Sequence, residues 1–191
     1  MSSATAPLSH PARLHIRAAT HDDIPAITRI YNESGVSTTA SYDLEPVSTE
    51  NRRVWLDERL NGGTPVLVAD DDGEVLGYAS FGRFRDKAGY AHTVEHSVYV
   101  APGSRALGVG RMLMLALIDR ARADGVHTMV GVLDADNQTS IQFHERLGFV
   151  EAGRLRQVGR KFDRWLDAVF MQLLFDGPAP EPARPMDRVG A

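Results

Sequence analysis

The chain has no cysteine. Disulfides, thiolate metal sites and a cysteine nucleophile are therefore excluded, and no acyl group can pass through a thioester on the protein. No apolar run approaches the roughly 20 residues of a membrane-spanning helix. The opening MSSATAPLSHPAR has neither the basic nor the apolar region of a secretory signal. Dense runs of lysine and arginine are missing too: 21 basic residues against 25 acidic ones leave a net charge of −4, which removes the electrostatic case for nucleic acid. The absence of cysteine leaves the compartment undecided; the other absences fit a small-molecule partner, no nucleic acid and no membrane, and a cytoplasmic protein is the leading expectation.

What is present is enough apolar sequence for one core, since 43% of 191 residues are hydrophobic, and the length calls for one domain. A Ser/Ala/Pro-rich start and the ending DGPAPEPARPMDRVGA have little to bury. The expected division is a disordered tail over 1–12, a folded domain over 13–175 and a disordered Pro-rich tail over 176–191. Within the domain, a short strand at RLHIRAA precedes a helix capped by Thr20, with Asp22, Asp23 and Pro25 in its first turn and Gly35 able to end it. The stretch STENRRVWLDERLNGG reads as a second helix, capped by Ser48 or Thr49, with Val54, Trp55 and Leu60 on its apolar side. Three strands follow, at PVLVA, EVLGYASFGRF and AHTVEHSVYVA. Next come a long helix from Gly108, a strand at HTMVGVL, a shorter helix at NQTSIQFHERLG, and two last strands. The fold class is α+β, a mixed and mostly antiparallel sheet flanked by helices.

Two stretches carry chemistry. HTVEHSVYV, residues 92–100, alternates as a strand, with Val94, His96, Val98 and Val100 on one face and Thr93, Glu95, Ser97 and Tyr99 on the other. Glutamate packs poorly in strands, so Glu95 marks either a wet face or a site in which a carboxylate serves as a base. In VYVAPGSRALGVGRML a strand runs into a turn with Arg105, Gly108 and Gly110 and then into a helix. Its first-turn amides have no intrahelical acceptor, so the turn can seat a pyrophosphate. A P-loop would need Lys and then Ser/Thr where Arg111 and Met112 stand, and a dinucleotide fingerprint would need glycine at Leu113.

The spacing Arg105-x-x-Gly108-x-Gly110 after a strand, with NQTSIQFHERLGF later, resembles the GNAT superfamily of N-acetyltransferases over the whole folded region. GYASFGRFRDKAGYAHTVEHSVYV and RQVGRKFDRWLDAVFMQL resemble its phosphinothricin and methionine sulfoximine acetyltransferase branch. The resemblance implies that acetyl-CoA is held by Val98, Tyr99 and Val100, by Arg105, Ala106, Leu107, Gly108, Val109, Gly110 and Arg111, and by Asn137. It implies catalytic roles for Glu95, as base, and for His144, standing where the family usually has a tyrosine that protonates the departing thiolate. A substrate would meet Phe84, Arg85, Glu95, His96 and Ser97, and a homodimer would bring residues 158–162 to the neighbour's pocket.

No pair of histidines has metal-ligand spacing with a carboxylate on a helix, and the DADN stretch at 134–137 lacks the length of a calcium loop, so no metal is expected. The function implied is acetylation of the α-amino group of a small amino-acid analogue by direct attack. The alternatives are acetylation of a peptide N-terminus or a drug amine, and a non-catalytic acetyl-CoA-sensing module, which would need neither Glu95 nor His144.

Overall fold

The structure, a computed structural model, describes residues 14–175; the tails expected at 1–12 and 176–191 lie outside the described residues, as do the side chains of Arg105 and Ala106. Strand β1 (His15–Ala18) leads into helix α1 (Ile24–Ile30) and then α2 (Thr49–Asn61). Strands β2 (Val66–Asp71), β3 (Glu74–Arg83) and β4 (Thr93–Val100) form a meander. Helix α3 (Val109–Ala123), strand β5 (Thr128–Asp134), helix α4 (Gln138–Glu145) and strands β6 (Val150–Lys161) and β7 (Arg164–Leu174) complete the domain. The seven strands lie in the order β1-β2-β3-β4-β5-β7-β6. Every neighbouring pair is antiparallel except β4 with β5, so the sheet has the mixed, mostly antiparallel character expected.

Local chemistry starts and stops the helices. The Thr20 N–H donates to Asp23 Oδ2 at 2.8 Å, and Pro25 sits in the first turn, where its missing N–H is not needed. Ser48 is the cap of α2 and accepts from the Asn51 N–H at 3.1 Å. Leu56 is the residue α2 buries completely, while Val54 and Leu60, the expected apolar side, are 49% and 43% exposed. The reason is that α2 meets the rest of the domain through a narrow stripe, Leu56 with Trp55 beside it. Gly35 does not end the first helix. The chain continues as a widened π turn over Tyr31–Val36, and a Cβ on Gly35 would stand 2.9 Å from the Tyr99 ring.

Two apolar layers sandwich the sheet. On one face Ile24, Ile27 and Ile30 of α1 and Leu56 of α2 pack against Val68, Val75 and Tyr78. On the other, α3 presents Val109, Leu113, Met114, Leu117, Ile118 and Ala121 to Phe81, Val94 and Met129, with Ile141 of α4 beside them. That spacing is one stripe of a 3.6-residue helix, and truncating a fully buried leucine such as Leu117 to Ala costs about 2–5 kcal/mol.

Candidate active site

Residues 93–95 of β4 pair in parallel with residues 128–130 of β5, and the pairing stops there. From Gly131 onward β5 is paired only with β7, while β4 stays with β3 as far as Val100. The strands diverge and open a cleft of about 270 Å³ between β4, residues 132–134 of β5, Asn137, Ser140 and His144 at α4, and the 39–42 loop. The edge of β4 facing it is not closed by another strand. Phe84 N donates to Thr93 O and Ala101 N to Leu76 O, so the odd-numbered residues of this unbulged strand turn their backbone groups to β3. The even-numbered ones turn away from it. The Val98 amide therefore faces the cleft, whereas that of Tyr99 belongs to the ladder. Ser34 Oγ donates to Val100 O at 2.7 Å and closes the upper end of this edge.

The two faces of β4 carry different chemistry. Glu95, Ser97 and Tyr99 share the α1/α2 face with their cross-strand partners Gly82, Ser80 and Tyr78. The Glu95 side chain is 41% exposed, with Arg85 Nη1 3.9 Å from Oε2. Partial burial raises the Glu95 carboxyl above the usual glutamate range, opposed by the Arg85 and Arg59 charges. Arg85 lies over the Phe84 ring at 4.1 Å and donates through Nη1 to Phe84 O, and Phe84 in turn meets Tyr90 edge to face. Arg83 stands opposite Val94, on the other face from Glu95.

On the α3/α4 face His96 and His144 are buried and stacked, with ring centroids 5.1 Å apart. His144 Nδ1 lies 2.7 Å from Ser140 O. A carbonyl only accepts, so Nδ1 carries the proton and Nε2 of the neutral ring presents a lone pair. Burial lowers the His144 pKa. His96 is pushed down to about 3 by burial and by its neighbour His144. Neither His96 nitrogen, nor His144 Nε2, has a hydrogen-bond partner among the described residues. Gly131 leaves room for the pair, since a Cβ there would stand 2.7 Å from His96 Nε2 and 3.5 Å from His144 Nε2. The residue expected to give a proton to the thiolate therefore starts as an acceptor.

The turn expected to seat a pyrophosphate follows β4 and opens α3. Gly108 caps α3 with φ +77 and would meet nothing within 4 Å if it carried a Cβ, so backbone conformation, rather than crowding, calls for glycine there. Gly110 is an ordinary helical residue whose Cβ would make van der Waals contact with Val100 and Phe143. The Met112 amide bonds back to Gly108 O, leaving those of Val109, Gly110 and Arg111 at the dipole's positive end. Val109 offers only its amide, because its side chain is wholly buried, and Leu107 is 62% exposed. Asn137 lines the cleft while its Oδ1 caps α4 by accepting from Ser140 N. A splayed strand edge, a left-handed glycine and a helix N-terminus fit an acyl-CoA thioester. No cluster of potential metal ligands occurs among the described residues, and no described helix is long and apolar enough to cross a membrane.

Sequence reading alone missed three features. Lys161, 4% exposed, donates to Thr38 O and Ser41 O at 2.8 and 2.7 Å and pins the 39–42 wall of the cleft. Tyr42 of that wall packs on the backbone at Gly159. Arg59 of α2 lays its guanidinium over Gly82. Gly82 and Gly159 left a trace in the sequence, as glycines inside strands.

The sheet, the divergence of β4 from β5 and the Gly108 turn define an acyl-CoA-dependent transferase, and the chain belongs to the Acetyltransferase (GNAT) family, whose description matches residues 25–149. It is an N-acetyltransferase, and enzymes of this family use acetyl-CoA. It is 51% identical over 162 residues to an L-methionine sulfoximine/L-methionine sulfone acetyltransferase of Pseudomonas aeruginosa, covering 84% of this chain and 94% of that one. It is 47% identical over 163 residues to an L-amino acid N-acyltransferase of Escherichia coli, covering 85% and 95%. A phosphinothricin acetyltransferase from Sinorhizobium meliloti, solved in complex with acetyl-CoA, superposes with a TM-score of 0.84 at 34% identity, over 92% of this chain and 96% of that one.

Proposed function

We propose that this enzyme acetylates the α-amino group of a small amino-acid analogue of the methionine sulfoximine, methionine sulfone or phosphinothricin type. The observation that carries the reading is Glu95, a carboxylate with raised pKa on the polar face of β4 where the strand edge opens into a small cleft. Acetyl-CoA supplies an activated acetyl thioester. The amides at the start of α3 hold its pyrophosphate, and Arg105, Ala106, Leu107, Arg111 and Asn137 complete that side of the site. Glu95 takes the first proton from the substrate ammonium, directly or through a water, and frees the lone pair for attack. The Val98 N–H is the donor for charge developing on the carbonyl oxygen. His144 Nε2 accepts the second proton lost by the nitrogen and returns it to the departing thiolate, so one proton leaves with Glu95 and one ends on sulfur. Attack is direct, because the chain has no cysteine.

Phe84, Arg85, His96 and Ser97 surround the substrate in this reading, Arg85 at the mouth. The protein works in the cytoplasm as a homodimer. In support of the dimer, β6 is an edge strand, and Val158, Phe162 and Trp165 at the tip of its hairpin are 51%, 58% and 59% exposed. Light scattering that gives a monomer mass would remove it. The substrate reading is tested by following CoA thiol release over L-methionine sulfone, L-methionine sulfoximine, phosphinothricin, short peptides and simple drug amines. Higher kcat/KM for the peptides or drug amines than for the amino-acid analogues would overturn it.

A further inference from the structure

Gly82 is the penultimate residue of β3 and is regularly paired opposite Glu95. Its φ is not in the left-handed region, so the backbone does not require glycine, and a glycine within a strand marks a close approach by something else. What approaches is Arg59. The Arg59 guanidinium occupies the place a Gly82 side chain would take, with Nη1 donating to Phe81 O at 2.9 Å and the cation 5.6 Å from the Trp55 ring. Trp55 itself lies edge-on to Tyr78, so α2 runs along β3 and delivers Arg59 one turn later.

Directly opposed residues of an antiparallel pair share a face, with Cβ atoms about 4.5–5.5 Å apart. The guanidinium thus stands beside the Glu95 side chain yet makes no ion pair with it among the described residues. Its Nε and Nη2 donors have no partner there either. Burial lowers the Arg59 pKa and the Glu95 charge raises it, as expected for a half-buried cation held near an anion.

We propose that Arg59 determines specificity for amino acids: through the gap at Gly82 it receives the substrate's α-carboxylate while the neighbouring Glu95 receives the α-ammonium. One carbon separates the two groups of an α-amino acid, which matches a carboxylate and a guanidinium on adjacent strand positions. Arg59 is better fixed for this than Arg85, whose side chain is 55% exposed, and a planar fork with free donors binds carboxylate well. This inference rests on the amino-acid substrate proposed above.

The test compares L-methionine sulfone with the same molecule lacking its carboxylate, 3-(methylsulfonyl)propylamine, in the wild type, Arg59→Met and Gly82→Ala. Arg59→Met keeps the stem on Trp55 but removes the fork. Gly82→Ala keeps Arg59 but displaces its flexible end. Both should raise KM for L-methionine sulfone by roughly 10- to 100-fold, as for loss of a charge-assisted pair, with far smaller changes for the decarboxylated amine and for acetyl-CoA. Both should also abolish the rise in melting temperature that L-methionine sulfone gives the wild type. Variants that keep the wild-type preference for the carboxylate, or lose both substrates equally, would overturn the role of Arg59 and leave the substrate assignment standing. A wild type with no preference for the carboxylate would overturn both.

Discussion

The two faces of β4 differ by one residue of register and by nearly everything else. On one, Glu95 sits half-exposed between two arginines from different parts of the chain, and its charge is adjustable. On the other, His96 and His144 pack among Phe143, Phe149 and Gly131 at the wall of the cleft, and burial holds both rings neutral. The wet face can exchange protons with solvent. The dry face offers only lone pairs. The cleft exists because β4 and β5 separate at their junction, so a substrate from one side and a thioester from the other can meet across the strand edge.

The strongest way to break this division is Glu95→Gln. If the wet face supplies the base, kcat should fall by roughly 10² to 10⁴, with partial recovery as pH rises toward the pKa of the free amine, while acetyl-CoA affinity measured by calorimetry stays near wild type. A folded variant with wild-type turnover and pH profile would show that Glu95 is not the base.

Gly131→Ala probes the dry face. Its Cβ would stand 2.7 Å from a buried ring, and overpacking of this kind costs about 1–3 kcal/mol. Denaturant unfolding should show that loss, and an unchanged midpoint would mean the histidine pair is loosely held. Gly110→Ala, with ordinary contacts, should leave the fold intact.

A smaller effect appears as acid sensitivity. The folded-state pKa of His96, about 3, lies below its ordinary 6.5, and His144 shifts the same way. Between these values the unfolded chain binds protons the native one refuses. Stability present above pH 6.5 is therefore lost as pH falls toward 3, at up to about 1.4 kcal/mol per pH unit for one such group. His96→Phe should flatten this slope below pH 6.5 in urea titrations, and an unchanged slope would place the acid sensitivity elsewhere.

Smallest is the effect of Arg85→Ala. An exposed guanidinium is screened by solvent and contributes about 0–1 kcal/mol to an ion pair, so KM for L-methionine sulfone should rise only a few-fold. A larger rise than in Arg59→Met would reverse the ranking of the two arginines.

Much of this was legible beforehand because it is local. Strand alternation put Glu95 and His96 on opposite faces, the Gly108 turn announced free helix amides, and the order of helices and strands followed from periodicity and caps. Less legible were contacts whose partners lie far apart in sequence. Leu56 rather than Val54 or Leu60 is buried because of where α2 meets the sheet. His96 of β4 and His144 of α4 stack because the helix packs over that strand. Lys161 reaches Thr38 and Ser41 across more than a hundred residues.

By itself the sequence determined which segments alternate and which coil, where a glycine-bearing turn opens a helix, and that no thiol of the chain itself can carry the acyl group. Only the tertiary structure decided that β4 and β5 part company after Glu95 and Val130, that Gly82 is a window for Arg59, and that two histidines share a dry pocket over Gly131. Side-chain direction along a strand is fixed by its own pleat, whereas what each side chain faces depends on strand pairing and helix packing between distant segments, which no local pattern specifies.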